Sequence, residues 1–175
     1  MNRLTSSCLQ ASIGIAFLAF AAPAAQADIK TFSGGGCSVT SGVPGEVKTN
    51  SVGVMQNTSF VLDGSIACFL VRDHPLAKPA KIEASVVDNS SVLVGAKNIS
   101  CRSILVDRFG TSSSSGTFVS TSGTNASGTI LNVPVPAAAV PNGTLVVQCT
   151  IPRRGVGNAP SAVASIKVFE PNPAP

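Results

Sequence analysis

The side chains able to do chemistry are few. The chain has one histidine, eight acidic residues and five cysteines among 175 residues. Asp73-His74-Pro75 would suit a general base oriented by an acid, as in a Ser-His-Asp triad. Adjacent side chains on an extended chain point to opposite faces, however, so Asp73 and His74 diverge. No Gly-x-Ser-x-Gly elbow accompanies them, and His74 reads as a surface loop histidine. A carboxylate pair would suit glycoside hydrolysis. The available acids are Asp28, Glu46, Asp63, Asp73, Glu83, Asp88, Asp107 and Glu170. Most fall at turns or strand ends, which predicts solvated turn carboxylates. Gly34-Gly35-Gly36 lacks the strand-to-helix setting and the Lys-Ser/Thr of a phosphate loop. It reads as backbone freedom beside Cys37. No cofactor or metal constellation is visible, and no catalytic residue is assigned.

The cysteines carry the stronger signal. Cys8 falls in an N-terminal segment that ends before Asp28. Cys37, Cys68, Cys101 and Cys149 remain, spaced by 31, 33 and 48 residues. That spacing lacks the paired knuckles of a zinc ribbon, and an even count in an exported chain implies two disulfides. Three connectivities are open. Sequential pairing, Cys37–Cys68 with Cys101–Cys149, closes the shorter loops and is preferred.

Export is expected from residues 1–27. Arg3 supplies the positive start, residues 13–22 a short apolar core, and Ala25-Gln26-Ala27 a small-x-small cleavage pattern, the parts of a secretory signal peptide. The mature chain, 28–175, then carries a formal charge of +3, from +4 before Arg3 is lost. It holds no second apolar run of membrane-spanning length. A periplasmic or extracellular location follows.

Composition narrows the fold. Hydrophobic residues make up 44% and charged residues 11%, which excludes a disordered tail and a coiled coil. Apolar residues alternate with period two over 81–87 and 144–151. Further strands are expected at 29–33, 99–106, 116–121, 127–133 and 162–169. Ser59-Phe60-Val61-Leu62 and Ser65-Ile66-Ala67-Cys68, joined by Asp63-Gly64, read as a hairpin. Pro141-Asn142-Gly143 marks another turn, 111–116 a flexible loop, and 171–175 a frayed tail. The sum is an all-β chain: an antiparallel β-sandwich of about eight or nine short strands in one domain, 28–175.

Partners are constrained by what is missing. Without Trp or Tyr, stacking platforms for nucleic acid or sugar are scarce, and Arg72, Arg102, Arg108, Arg153 and Arg154 form no dense stripe. No nucleic acid is expected. Arg153-Arg154 reads as a solvated pair that could touch an acidic surface such as an anionic lipid or polysaccharide; a protein partner is also open. Five Asn-x-Ser/Thr sequons, at Asn57, Asn89, Asn98, Asn125 and Asn142, would be glycan candidates in a eukaryotic secretory route.

Six segments in order, Phe32-Ser-Gly-Gly-Gly-Cys37, Ile66-Ala-Cys-Phe-Leu-Val-Arg-Asp73, Val86-Val-Asp-Asn-Ser90, Ile99-Ser-Cys101, Leu145-Val-Val-Gln-Cys-Thr-Ile-Pro152 and Ser165-Ile-Lys-Val-Phe-Glu170, carry a resemblance. Over about 32–170 the chain resembles an uncharacterised group of short exported bacterial proteins with four mature cysteines. Members often place Pro after the second of these, where Phe69 stands here. The resemblance implies a disulfide-stabilised bacterial β-sandwich and brings no activity with it. The expected role is therefore an exported, non-catalytic structural or surface-binding module. A fimbrial or coat-like self-assembling subunit and a small secreted hydrolase are the alternatives.

Overall fold

The computed structural model describes residues 28–73, 77–90, 97–110, 113–138 and 143–171. Residues 1–27, His74, the Pro141-Asn142 part of the expected turn, and 172–175 lie outside them. Twelve strands are described: β1 Asp28–Ser33, β2 Ser38–Ser41, β3 Val47–Thr49, β4 Met55–Asn57, β5 Gly64–Leu70, β6 Lys81–Asp88, β7 Ser100–Val106, β8 Ser113–Ser115, β9 Val119–Ser120, β10 Asn125–Asn132, β11 Thr144–Ile151 and β12 Ser161–Glu170. They form two antiparallel six-stranded sheets packed as a sandwich.

The first sheet runs β10-β6-β12-β4-β3, with β1 also on β12; the second runs β2-β5-β11-β7-β8, with β9 also on β7. The long strands show why the sequence folds this way. In β6, Ile82, Ala84, Val86 and Asp88 turn inward while Lys81, Glu83, Ser85 and Val87 lie more open. One face therefore enters the core and the other meets water. In β11 the inward face is Leu145, Val147, Cys149 and Ile151, all fully buried. Against them pack Ile82, Val86, Val163, Ile166 and Val168 of the first sheet.

The strand count exceeds the expected eight or nine because β2, β3, β4, β8 and β9 have only two to four residues each, too short for alternation to register. The segment 116–121 yields only β9. At Gly116 an ideal Cβ would lie 2.3 Å from Pro134 O, so the chain passes too close to a neighbouring backbone for any other residue. Gly34 is placed the same way. Its ideal Cβ would lie 2.1 Å from Val163 O, and this approach lets the chain cross from β1 in one sheet to β2 in the other.

The expected hairpin about Asp63-Gly64 is not formed. β5 begins at Gly64 and pairs with β2 and β11, while 58–63 is a loop. The reason is local hydrogen bonding. Ser59 Oγ accepts from the backbone N–H groups of Val61 and Leu62, and Asn57 Oδ1 accepts from Ser59 N–H. Donors that a ladder would need are taken by side chains.

Both disulfides lie within the second sheet. Cys101 and Cys149 stand directly opposite on β7 and β11. Cys37 precedes Ser38, which faces Ala67, so Cys37 meets Cys68 across β2 and β5. Each pair has a Cα–Cα distance of 4.1 Å, near the spacing of a non-hydrogen-bonded cross-strand pair. The bridges staple neighbouring strands; apolar packing holds the two sheets together.

Candidate functional site

The strands run between two ends of the sandwich, and each end gathers a distinct set of side chains. Asp28 opens β1 and Glu170 closes β12, and the two stand opposite each other in the ladder. With Asp73, their carboxylate oxygens lie within 4.8 Å of one another. Two cations meet them. Lys30 Nζ is 2.5 Å from Asp73 Oδ1, and this bond holds the Lys30 ammonium above its ordinary pKa. Arg72 Nε is 3.3 Å from Glu170 Oε1, with both side chains almost wholly buried. Asp73 N–H donates to Glu170 Oε2 at 2.9 Å. The cluster locks the first and last strands and the end of β5 together. Beside it a shallow depression is lined by Phe69, Leu70, Val71, Arg72, Gly143 and Thr144.

Two carboxylates expected to be solvated, Asp88 and Glu170, are instead fully buried. Glu170 is held by Arg72. Asp88 is held by uncharged donors at the opposite end, the Ser90 side chain among them. Its Oδ1 accepts from Ser90 N–H at 2.9 Å and Ser161 Oγ at 3.3 Å. Its Oδ2 accepts from Ile99 N–H at 3.0 Å and from the Thr121 hydroxyl. Asp88 and Ser161 belong to the first sheet, while Ile99 and Thr121 flank strands of the second. Burial pushes the Asp88 carboxyl up, but the hydrogen bonds outweigh burial and hold it below its ordinary value. Its stabilising contribution is then complete above the unfolded-state pKa of about 3.9. That contribution is lost as pH falls through the lower folded-state value. Asp88→Asn should cost about 2–4 kcal/mol at pH 7, because an amide NH₂ then confronts backbone donors. The variant should also show a flatter loss of stability in acid. Urea midpoints measured from pH 7 to pH 2.5 check both.

Near that same end stands the loop 58–63, the least expected feature. Phe60, Val61 and Leu62 are 54%, 65% and 53% exposed, while Asn57 and Ser59 beneath them are wholly buried. Asn57 Nδ2 donates to Leu62 O and to Ile151 O. Arg154 N–H donates to Ser59 O, and Arg153 Nη1 to Val61 O. The Arg154 guanidinium lies 5.2 Å from the Phe60 ring centroid. Arg154 also bonds Asn158 O, tying in the turn at 155–158, where Val156 is 94% exposed. Lys97 Nζ is 2.7 Å from Asp63 Oδ2, and Arg153 N–H donates to Asp63 Oδ1. Burial pushes the Asp63 carboxyl up, but Lys97 and the Arg153 N–H prevail and keep it below its ordinary value. Glu46, nearby through bonds from Thr58 to its carbonyl, has one buried carboxylate oxygen without a hydrogen-bond partner among the described residues.

The residues singled out in the sequence are thus distributed. Asp28, Asp73 and Glu170 come together; Glu83 pairs with Lys81 on β6; His74 lies outside the described residues. Arg102 and Arg108 stack on Phe118 and Phe109. The sequon Asn57 is buried with its amide engaged, so a glycan there is incompatible with this fold. Sequence reasoning missed the Phe60-Val61-Leu62 display because it took the run for a strand. Among the described residues, no helix is long and apolar enough to cross a membrane. The two disulfides fit an oxidising compartment.

No family model matches the chain, and no curated protein matches it. Among solved structures it is similar to a family two carbohydrate esterase from Cellvibrio japonicus, at 11% identity and a TM-score of 0.44, over 85% of this chain and 37% of that one. It is also similar to an isomalto-dextranase from Arthrobacter globiformis T6 complexed with panose, at 12% identity and a TM-score of 0.42, over 80% of this chain and 23% of that one. The chain thus spans well under half of either enzyme's length, and no activity is transferred from likenesses of this strength.

Proposed function

We propose that the protein is an exported, non-catalytic β-sandwich that attaches to a surface through the end built from 58–63 and 152–158. One observation carries the reading: three consecutive apolar side chains are displayed on a loop fixed by buried Asn57 and Ser59. Contiguous exposed apolar surface marks interaction sites in folded proteins. Fixing the loop through buried polar bonds prevents its apolar side chains from folding back, and a rigid display loses less entropy on binding. The opposite end also exposes Phe69, Val71 and Phe109, but among the described residues not as three consecutive side chains on one fixed loop. There Arg72 pairs with Glu170, and Asp73, half of the acid–base pair considered for a hydrolase, is bonded to Lys30.

Fractionation of the native host tests the proposal. The wild-type protein should travel with the cell envelope. The variant Phe60→Ser/Val61→Ser/Leu62→Ser should keep its melting temperature within about 2 °C, as exposed substitutions do, and move to the soluble exported fraction. Unchanged fractionation of a folded variant would end the reading. A self-assembling subunit would instead appear as a polymer by light scattering, independent of this loop.

A further inference from the structure

Resting on that reading, we infer that the surface is an anionic lipid bilayer. The occupant is argued from shape and charge together. The apolar side chains are exposed on the 58–63 loop, with exposed Val156 in the adjoining turn. A fluid bilayer accepts such side chains at the headgroup boundary without a preformed pocket, whereas a protein partner requires a complementary cavity for each anchor. The cations at this end are Arg153 and Arg154 in the adjoining strand exit and Lys97 across the loop. Lys97 and Asp63 neutralise each other, so the charge offered to lipid is that of Arg153 and Arg154 set against the half-buried Glu46. Basic side chains beside exposed apolar ones are the two terms that together hold a protein on anionic lipid. Arg153 Nη1 donates to Val61 O and Arg154 Nε to Asn158 O, which leaves each guanidinium further N–H groups for phosphate oxygens. Arg154 has a second duty, since its stacking on Phe60 couples the cationic and apolar parts of the loop.

The test is vesicle co-sedimentation of the disulfide-intact protein as exported by its host. The probes are equimolar phosphatidylglycerol–phosphatidylcholine vesicles and pure phosphatidylcholine vesicles. Binding to the anionic vesicles should be at least about tenfold tighter and should weaken as salt is raised. Val61→Asp/Leu62→Asp should lose about tenfold or more, and Arg153→Gln should lose severalfold along with part of the salt dependence. Val52→Asp, an exposed apolar site in the β3–β4 turn and outside the 58–63 loop, should bind as wild type, and all variants should melt as folded proteins. Equal binding to both vesicles, no binding to either, or binding indifferent to Val61→Asp/Leu62→Asp would overturn the lipid assignment. If envelope attachment still depends on the loop while vesicles fail, the attachment proposal stands and the ligand is a protein or glycan. If both fail, both are wrong.

Discussion

Arg72→Ala should destabilise the protein by about 3–5 kcal/mol, among the largest effects of any single substitution here. The Glu170 carboxylate is 1% exposed on its side chain and Arg72 only 3%. Removing the guanidinium leaves a buried charge with two other carboxylates, Asp28 and Asp73, in the same cluster. Lys30 is committed to Asp73, and the Asp73 N–H bond to Glu170 cannot neutralise a charge. The double variant Arg72→Met/Glu170→Met should recover most of the loss, since replacing both members of a buried pair by apolar residues is often neutral. Urea denaturation of the three proteins checks this. A loss under about 1 kcal/mol for Arg72→Ala would mean that the pair does not lock the strand ends.

Replacing Cys101 and Cys149 together by alanine should cost about 4 kcal/mol. Their loop spans 48 residues, and releasing it returns that much chain entropy to the unfolded state. Both residues are wholly buried between central strands, so lost sulfur packing adds to the cost. Domains of this size are stable by about 5–15 kcal/mol, so the variant should unfold at markedly lower urea. The Cys37–Cys68 loop spans 31 residues, and its removal should cost slightly less. With all four sulfurs shielded, alkylation after addition of reductant should need denaturant. Rapid labelling of the native protein under reductant would contradict the buried placement.

What the sequence made legible follows from the range of the forces involved. Residues 81–87, 144–151 and 162–169 alternate over seven or more positions, enough for period two to stand out, and β6, β11 and β12 lie there. Strands of two to four residues are set by their neighbours and leave no period to read. The charged cluster joins Asp28 to Glu170, residues at opposite ends of the described chain, so no local pattern announces it. Asp88 ends a strand, as its sequence position suggests, but its burial depends on Ile99, Thr121 and Ser161 arriving from elsewhere. The 58–63 loop differs from the expected strand for another reason. Phe-Val-Leu is the composition of a buried strand and equally that of an exposed apolar tip. Only the bonds of Asn57 and Ser59 separate the two.

The central claim is that this end of the sandwich is covered where the protein works. Carbene footprinting of the protein in its native envelope, compared with the purified protein in solution, measures that coverage residue by residue. Strong protection of Phe60, Val61, Leu62 and Val156 is expected in the envelope, with Phe69 and Phe109 at the opposite end labelled equally in both. Equal labelling of the four, or protection confined to Phe69 and Phe109, would contradict it.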